Sequence, residues 1–172
     1  ADGFNFSAGI AVGAGKTFVV DNINNRVLVF NSSSPLTGSA ANSVLGQANL
    51  TSNDLDPEAN PDNTTLYYPT SAAIDSEHLY ICDSSNNRVL YWNLSNPNWP
   101  NRRPADGVIG QPEMNTRTLA SDTLAGPTAV YSDGRRVFMA DSNHHRVLVW
   151  KKGDPEFGKV TSALILGQPN AT

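Results

Sequence analysis

DSSNNRVLYW, residues 83–92, occurs three times along the chain in closely related forms. The other two copies are DNINNRVLVF at 21–30 and DSNHHRVLVW at 141–150. The arginine of the motif recurs after 62 residues and again after 58, so one supersecondary unit is repeated in series. In each copy a polar turn separates an apolar pair from a β-branched and aromatic run. This pattern predicts a β-hairpin in each unit, because Asn and Asp tolerate the left-handed backbone of tight turns.

Two further strands are predicted in each unit, one on either side of the hairpin. Runs of small residues precede it at 9–12, 71–75 and 128–131. A loop rich in Ser, Pro, Asn and Gly follows it and leads to apolar strands that end in Gly-Gln, at 43–47, 107–111 and 164–168. The run that begins at the arginine does not alternate polar with apolar residues. That absence of alternation predicts a strand covered on both faces.

Four-stranded units in series, each covered on both faces, describe the blades of a β-propeller. We therefore predict an all-β chain that forms one module of three antiparallel four-stranded blades. The blades are expected at about residues 6–47, 66–111 and 124–168.

The repeated units resemble NHL repeats. The resemblance rests on the core from the aspartate through the arginine to the aromatic residue, on the strand that ends in Gly-Gln, and on Pro69 and Pro127 ahead of the first strand. It covers nearly the whole chain. Members of that family include secreted and surface proteins, some lyases and RNA-binding regulators. Propellers typically have four to eight blades and this family commonly has six, so three blades imply half of a six-bladed ring or an open array.

The resemblance also implies roles for the repeated charged residues. In that family the aspartate and arginine are structural and tie the hairpin turn to the neighbouring blade. A guanidinium group has five donors that can satisfy a carboxylate and nearby carbonyl groups. The implied structural residues are Asp21, Arg26, Asp83, Arg88, Asp141 and Arg146.

Composition excludes several classes of function. The 172 residues carry 16 acidic and 12 basic side chains, for a net charge of -4, which argues against non-specific nucleic-acid binding. No run of 18 apolar residues occurs, so no membrane span is expected. The one cysteine, Cys82, cannot form an intramolecular disulfide and is predicted to be a small buried core residue. A start at Ala1 without Met is typical of a processed protein or of a piece of a longer one.

Six Asn-x-Ser/Thr tripeptides occur, and several recur at matching places in the repeats. They predict N-glycosylation of loops in an extracellular or cell-surface protein. The alternative is that Asn simply suits the starts of loops. The candidate acceptors are Asn5, Asn31, Asn49, Asn63, Asn93 and Asn170.

Candidate metal ligands are few. The only histidines are His78, His144 and His145, whereas a zinc site needs three or four convergent ligands. The acidic loop at 53–63 could attract calcium but lacks the spacing of an EF-hand loop, so a solvated loop is favoured. Its carboxylates are those of Asp54, Asp56, Glu58 and Asp62.

Candidate catalytic residues are equally sparse. Asp75, Tyr131 and Asp133 are the only ones near the inward-facing strands, and no nucleophile has a base at a readable spacing. We therefore expect no catalytic residue, no cofactor and no metal site.

The sequence favours a non-catalytic extracellular structural scaffold. Three blades leave packing faces exposed at both ends, which predicts self-assembly into a closed ring or an open fibril. Other proteins or glycans are further candidate partners, met by loops held on rigid blades. The alternative is a propeller enzyme of the lyase or lactonase type, with a channel metal, completed by dimerisation or by a longer parent chain.

Overall fold

The computed structural model describes residues 3–54 and 61–168 and places them in three four-stranded antiparallel sheets. Within each sheet the strands follow chain order. The strands are β1 (Ser7–Gly13), β2 (Lys16–Asp21), β3 (Arg26–Phe30), β4 (Ser43–Leu45), β5 (Pro69–Ile74), β6 (His78–Asp83), β7 (Arg88–Asn93), β8 (Gly107–Ile109), β9 (Pro127–Ser132), β10 (Arg136–Asp141), β11 (Arg146–Lys151) and β12 (Leu164–Leu166). The prediction of three four-stranded antiparallel blades is confirmed. None of the described residues forms a helix suited to crossing a membrane.

The motif that repeats in the sequence forms the central hairpin of each blade. The aspartate that ends the second strand pairs with the arginine that begins the third, and four residues join them. The last of these four has left-handed backbone, with φ near 50° at Asn25, Asn87 and His145. Asn adopts this conformation more readily than most residues, which explains its recurrence.

The fourth strand of each blade ends just before the Gly of the Gly-Gln pair. Gly46, Gly110 and Gly167 all have φ between +84° and +93°. A Cβ added at Gly110 would lie 2.1 Å from Cγ of Leu124. Glycine is therefore required here both by the backbone conformation and by the close approach of the next connecting segment.

The core lies between the blades. Phe18 and Val29 of blade 1 pack against Ile81 and Trp92 of blade 2 in one cluster, and a second cluster joins blades 2 and 3. Every residue of β3 is buried, which agrees with the predicted cover on both faces.

The first strands of the three blades lie side by side. Gly9 of β1 comes so close to β5 that an added Cβ would lie 3.1 Å from Cα of Ser71. The Ser71 hydroxyl in turn accepts a hydrogen bond from the backbone N–H of Val130 in β9 (3.3 Å). The small residues of these strands permit this close approach. Strands β1 and β9 are longer than the predicted ranges 9–12 and 128–131.

Candidate functional site

Each blade holds one buried ion pair inside its hairpin. Arginine Nε donates to aspartate Oδ2 at 2.6 Å in the Asp21–Arg26 pair and at 2.7 Å in the other two. The second carboxylate oxygen accepts a backbone N–H from the segment that leads into the first strand. The three donors are Asn5, Tyr67 and Ala125. The sequence-predicted residues thus meet as three separate pairs.

The guanidinium groups also bind the segments that connect the blades. Arg88 donates to the carbonyl groups of Asp62 and Thr65 ahead of blade 2, and to that of Met114 after it. Arg26 and Arg146 make comparable bonds to backbone carbonyl groups. These guanidinium N–H groups donate to backbone oxygens, an arrangement that suits a residue that holds segments of the fold together.

Asp75 is the one sequence-predicted channel candidate that joins two blades. Its Oδ2 accepts hydrogen bonds from Ser132 Oγ (2.7 Å) and Lys152 Nζ (2.9 Å) of blade 3. Its Oδ1 accepts the backbone N–H groups of Glu77 and His78. Burial alone raises the pKa of Asp75, but these hydrogen bonds outweigh it and hold the pKa well below its ordinary value. A carboxylate so fully engaged is poorly suited to proton transfer.

The two other channel candidates lie in different surroundings. Asp133 accepts the backbone N–H groups of Arg135 and Arg136, which lower its pKa, and pairs with the Arg136 side chain within the same turn. Tyr131 is exposed and lies beside Phe138 on the outer face of blade 3. These three candidates do not form one site.

The histidines are divided between two places. His78 lies against Tyr91 at the start of β6, and burial, together with Lys152, lowers its pKa. His144 Nδ1 lies 3.0 Å from Asp141 Oδ2, whereas His145 is exposed. Within residues 3–54 and 61–168 no three or more His, Cys, Asp or Glu side chains are grouped closely enough to hold a metal ion.

The acidic loop is only partly described. Asp56 and Glu58 lie outside the described residues, as does the sequon residue Asn170. Asp62 Oδ1 accepts hydrogen bonds from the backbone and hydroxyl of Thr64. Burial raises the pKa of Asp62, but these bonds and the Arg102 charge lower it overall.

The outer face of blade 3 is apolar and open to solvent. Leu166 has the same strand register as Leu45 and Ile109, whose side chains are 0% exposed, yet Leu166 is 49% exposed. Tyr131 likewise matches Ala11, which is buried against blade 2. We term this surface the tail face. It comprises Tyr131, Phe138, Val147, Leu164 and Leu166.

The outer face of blade 1 is only partly open. Leu28 and Val44 of this face are buried in a cluster with Ala41, against which Leu50 also packs. Ile10 is 63% exposed, whereas its register equivalent in blade 3, Val130, is buried against blade 2. We term the surface made by Ile10, Val12 and Val19 the head face. Exposed apolar surface of this kind typically marks an interaction site.

A loop of each later blade reaches back onto the blade before it. Trp99 packs against Phe18 with 5.1 Å between ring centroids, and Phe157 joins the cluster that contains Tyr80. The corresponding loop of blade 1 carries Leu36, which is 82% exposed. The sequence predicts these stretches only as loops, and the isolated aromatic residues within them were the available signal for the contact with the preceding blade.

No protein-family model matches the chain, and no curated protein does. Solved structures do match. One is a chain in the crystal structure of a nidogen/laminin complex, with 20% identity, 87% of this chain and 44% of that chain covered, and a TM-score of 0.54. Another is virginiamycin B lyase of Staphylococcus aureus, with 13% identity, 94% and 41% covered, and a TM-score of 0.53. A third is glutaminyl cyclase of Myxococcus xanthus, with 11% identity, 94% and 49% covered, and a TM-score of 0.51.

The chain spans less than half the length of each of these solved chains. At such low sequence identity these matches show the fold alone. The three sheets are blades of the β-propeller fold.

Proposed function

We propose that this chain is a non-catalytic scaffold of NHL-type blades that assembles head to tail, with the tail face of one copy packed on the head face of the next. The observation that carries the proposal is the exposure of Leu166 at a register position that is fully buried in blades 1 and 2. A second copy would bury it as blade 3 buries Ile109.

The internal joints supply the template for this contact. Blade 2 packs on blade 1, and blade 3 on blade 2, through the same strand positions and with the same loop reaching back. The tail face exposes Tyr131, Leu164 and Leu166, and the head face exposes Ile10 and Val12, whereas Val19 packs on the cluster of Leu28 and Val44. Burial of apolar area favours such an association.

Head-to-tail contact is heterologous, so its product depends on the rotation between copies. A rotation that closes gives a ring, which for two copies has six blades, and one that does not close gives a fibril. The same two faces serve both products.

We further propose that the protein is extracellular or located at the cell surface. The acceptor residues Asn5, Asn31, Asn49 and Asn93 are exposed, and Asn63 is half-buried. An exposed Asn on a loop can carry a glycan without disturbing the blades.

The saturated hydrogen bonding of Asp75 supports a structural role over a catalytic one. An enzyme of this architecture would need another acid or base. We therefore assign Asp75 to the joint between blades 2 and 3.

Light scattering coupled to size-exclusion chromatography tests the assembly. The wild-type chain should run above its monomer mass of 18.4 kDa, and Leu166→Asp should run at that mass. Leu119→Asp is the matched control, because Leu119 is also exposed but lies in a connecting segment. A monomeric wild-type chain at about 100 µM, or a Leu166→Asp variant that associates as the wild type does, would overturn the proposal.

A further inference from the structure

The two internal blade joints share one hydrogen bond at the left-handed residue of the hairpin turn. Asn25 Oδ1 accepts the backbone N–H of Tyr68, and Asn87 Oδ1 accepts that of Gly126, each at 2.9 Å. In both cases the acceptor belongs to one blade and the donor belongs to the segment that opens the next. The side-chain amide thus fastens each blade to its successor.

In blade 3 the same turn position is occupied by His145. Its φ is 53°, identical to that of Asn87, so the two side chains leave the backbone in the same direction. The surroundings of this residue are also the same in all three blades. In each blade a glutamine side chain donates to the backbone carbonyl of the left-handed residue. These donors are Gln47, Gln111 and Gln168.

The matching donor at the other end of the chain is Phe6. It precedes β1 as Tyr68 and Gly126 precede β5 and β9, and all three have left-handed backbone, with φ of 61°, 46° and 54°. Phe6 is exposed. Asn25 accepts the backbone N–H of Tyr68, but no side chain of the turn at residues 22–25 accepts the backbone N–H of Phe6. A left-handed phenylalanine at the open end of blade 1 therefore reproduces the donor half of the joint.

We propose that His145 Nδ1 of one copy accepts the backbone N–H of Phe6 in the next copy, which makes the joint between copies sensitive to protons. The inference rests on the proposed head-to-tail assembly. Nδ1 is bonded to Cγ as Oδ1 of Asn is, so it can stand where the amide oxygen stands in the internal joints.

Protonation would abolish this bond. A neutral imidazole has one nitrogen that accepts, whereas the imidazolium cation carries N–H on both nitrogens and accepts at neither. Histidine is the side chain that ordinarily changes charge between about pH 5 and 8. The joint between copies is therefore formed while His145 is neutral and weakened when His145 is protonated, while the joints made by Asn25 and Asn87 do not respond.

The charged groups around the joint are already paired. On the blade 3 side, Asp141 accepts from Arg146 and lies within 3.0 Å of His144. On the blade 1 side, Asp21 accepts from Arg26 behind the segment that holds Phe6. His144 is thus the other titratable group in the turn, and it must be controlled for.

Sedimentation velocity at pH 8 and pH 5.5 tests the inference on the whole chain. The dissociation constant of the wild type should rise about tenfold at the lower pH, the effect of losing one hydrogen bond and leaving its donor unpaired. His145→Asn restores the residue of the internal joints and should assemble equally at both pH values. His144→Asn, which restores the residue found at 24 and 86, should keep the wild-type pH dependence.

The outcomes separate the two proposals. Assembly of the wild type that is equal at both pH values, or a pH dependence that survives in His145→Asn, would overturn the role of His145 and leave the assembly standing. Failure of both the wild type and His145→Asn to assemble at pH 8 would overturn the assembly itself, and the joint with it.

Discussion

Arg88 and Asp83 form an ion pair in which both side chains are 0% exposed and Nε lies 2.7 Å from Oδ2. A charge removed this completely from water is stable only while its partner and its hydrogen bonds are present. Arg88 satisfies backbone carbonyl groups on both sides of blade 2 as well. The pair therefore joins the hairpin to the two connecting segments of its blade.

Replacing Arg88 should destabilise the fold strongly. Arg88→Ala leaves the Asp83 carboxylate buried without its cation, and we expect a loss of about 2 to 4 kcal/mol in the free energy of unfolding. Urea denaturation followed by Trp fluorescence measures it. Arg102→Ala is the control, because Arg102 is half-exposed and 3.7 Å from Asp62, and its loss should be under about 1 kcal/mol. Near-wild-type stability of Arg88→Ala would show that the Asp83–Arg88 pair does not stabilise the fold.

Asp75 should stabilise the joint between blades 2 and 3 in a pH-dependent way. Because its folded-state pKa is lowered, its contribution is present above the ordinary carboxyl pKa of about 4 and is lost as pH falls towards the lowered value. Asp75→Asn should cost about 1 to 3 kcal/mol at neutral pH. The difference from wild type should shrink below about pH 4.

A double-mutant cycle tests whether that effect passes through Lys152. The combined Asp75→Asn and Lys152→Met variant should lose less stability than the two single losses added together, since both remove one interaction. Strict additivity would show that the 2.9 Å contact carries no coupling.

Gly110 allows a separate test of backbone and packing effects. Gly110→Ala introduces a Cβ into Leu124 at a positive φ and should cost about 2 to 4 kcal/mol. Gly134 has nearly the same φ, +85° against +84°, but no heavy atom lies within 4 Å of the added Cβ, so Gly134→Ala should cost about 1 kcal/mol. Thermal unfolding of both variants measures the difference. Equal losses of stability would mean that the contact with Leu124 adds nothing to the cost of the Gly110→Ala substitution.

Trp99 should anchor blade 2 to blade 1. Its ring is buried against Phe18 and beneath the Arg103 guanidinium, so Trp99→Ala should lower the unfolding free energy by about 3 to 5 kcal/mol. Leu119→Ala, at an exposed apolar position, should change it by less than about 0.5 kcal/mol. A small effect of Trp99→Ala would show that this loop does not stabilise the packing of blade 2 on blade 1.

Local features of the fold could be predicted from the sequence because each repeat states them in a few neighbouring residues. The hairpin turns, the left-handed Asn25 and Asn87, and the Gly-Gln strand ends are of this kind. A period repeated three times also specifies the sheet topology, since each strand is antiparallel to the one before it.

Contacts between blades could not be predicted in the same way. Asn25 binds Tyr68 and Asp75 binds Lys152 across large separations in sequence, and no local pattern marks the partner. The extension of β1 to Ser7 depends on pairing with Asp21 rather than on its own small residues. The shared Gly-Gln aligns Leu166 with Leu45 in the sequence, but only the structure shows that Leu45 is buried and Leu166 is exposed.

The measurement that tests head-to-tail assembly most directly is sedimentation velocity on two variants, alone and mixed. Ile10→Asp disables the head face and Leu166→Asp disables the tail face, both at exposed positions that the monomer should tolerate. Each variant alone should sediment as an 18.4 kDa monomer, and an equimolar mixture should form a dimer, because one head face and one tail face remain. A mixture that stays monomeric, or a single variant that dimerises alone, would contradict the account.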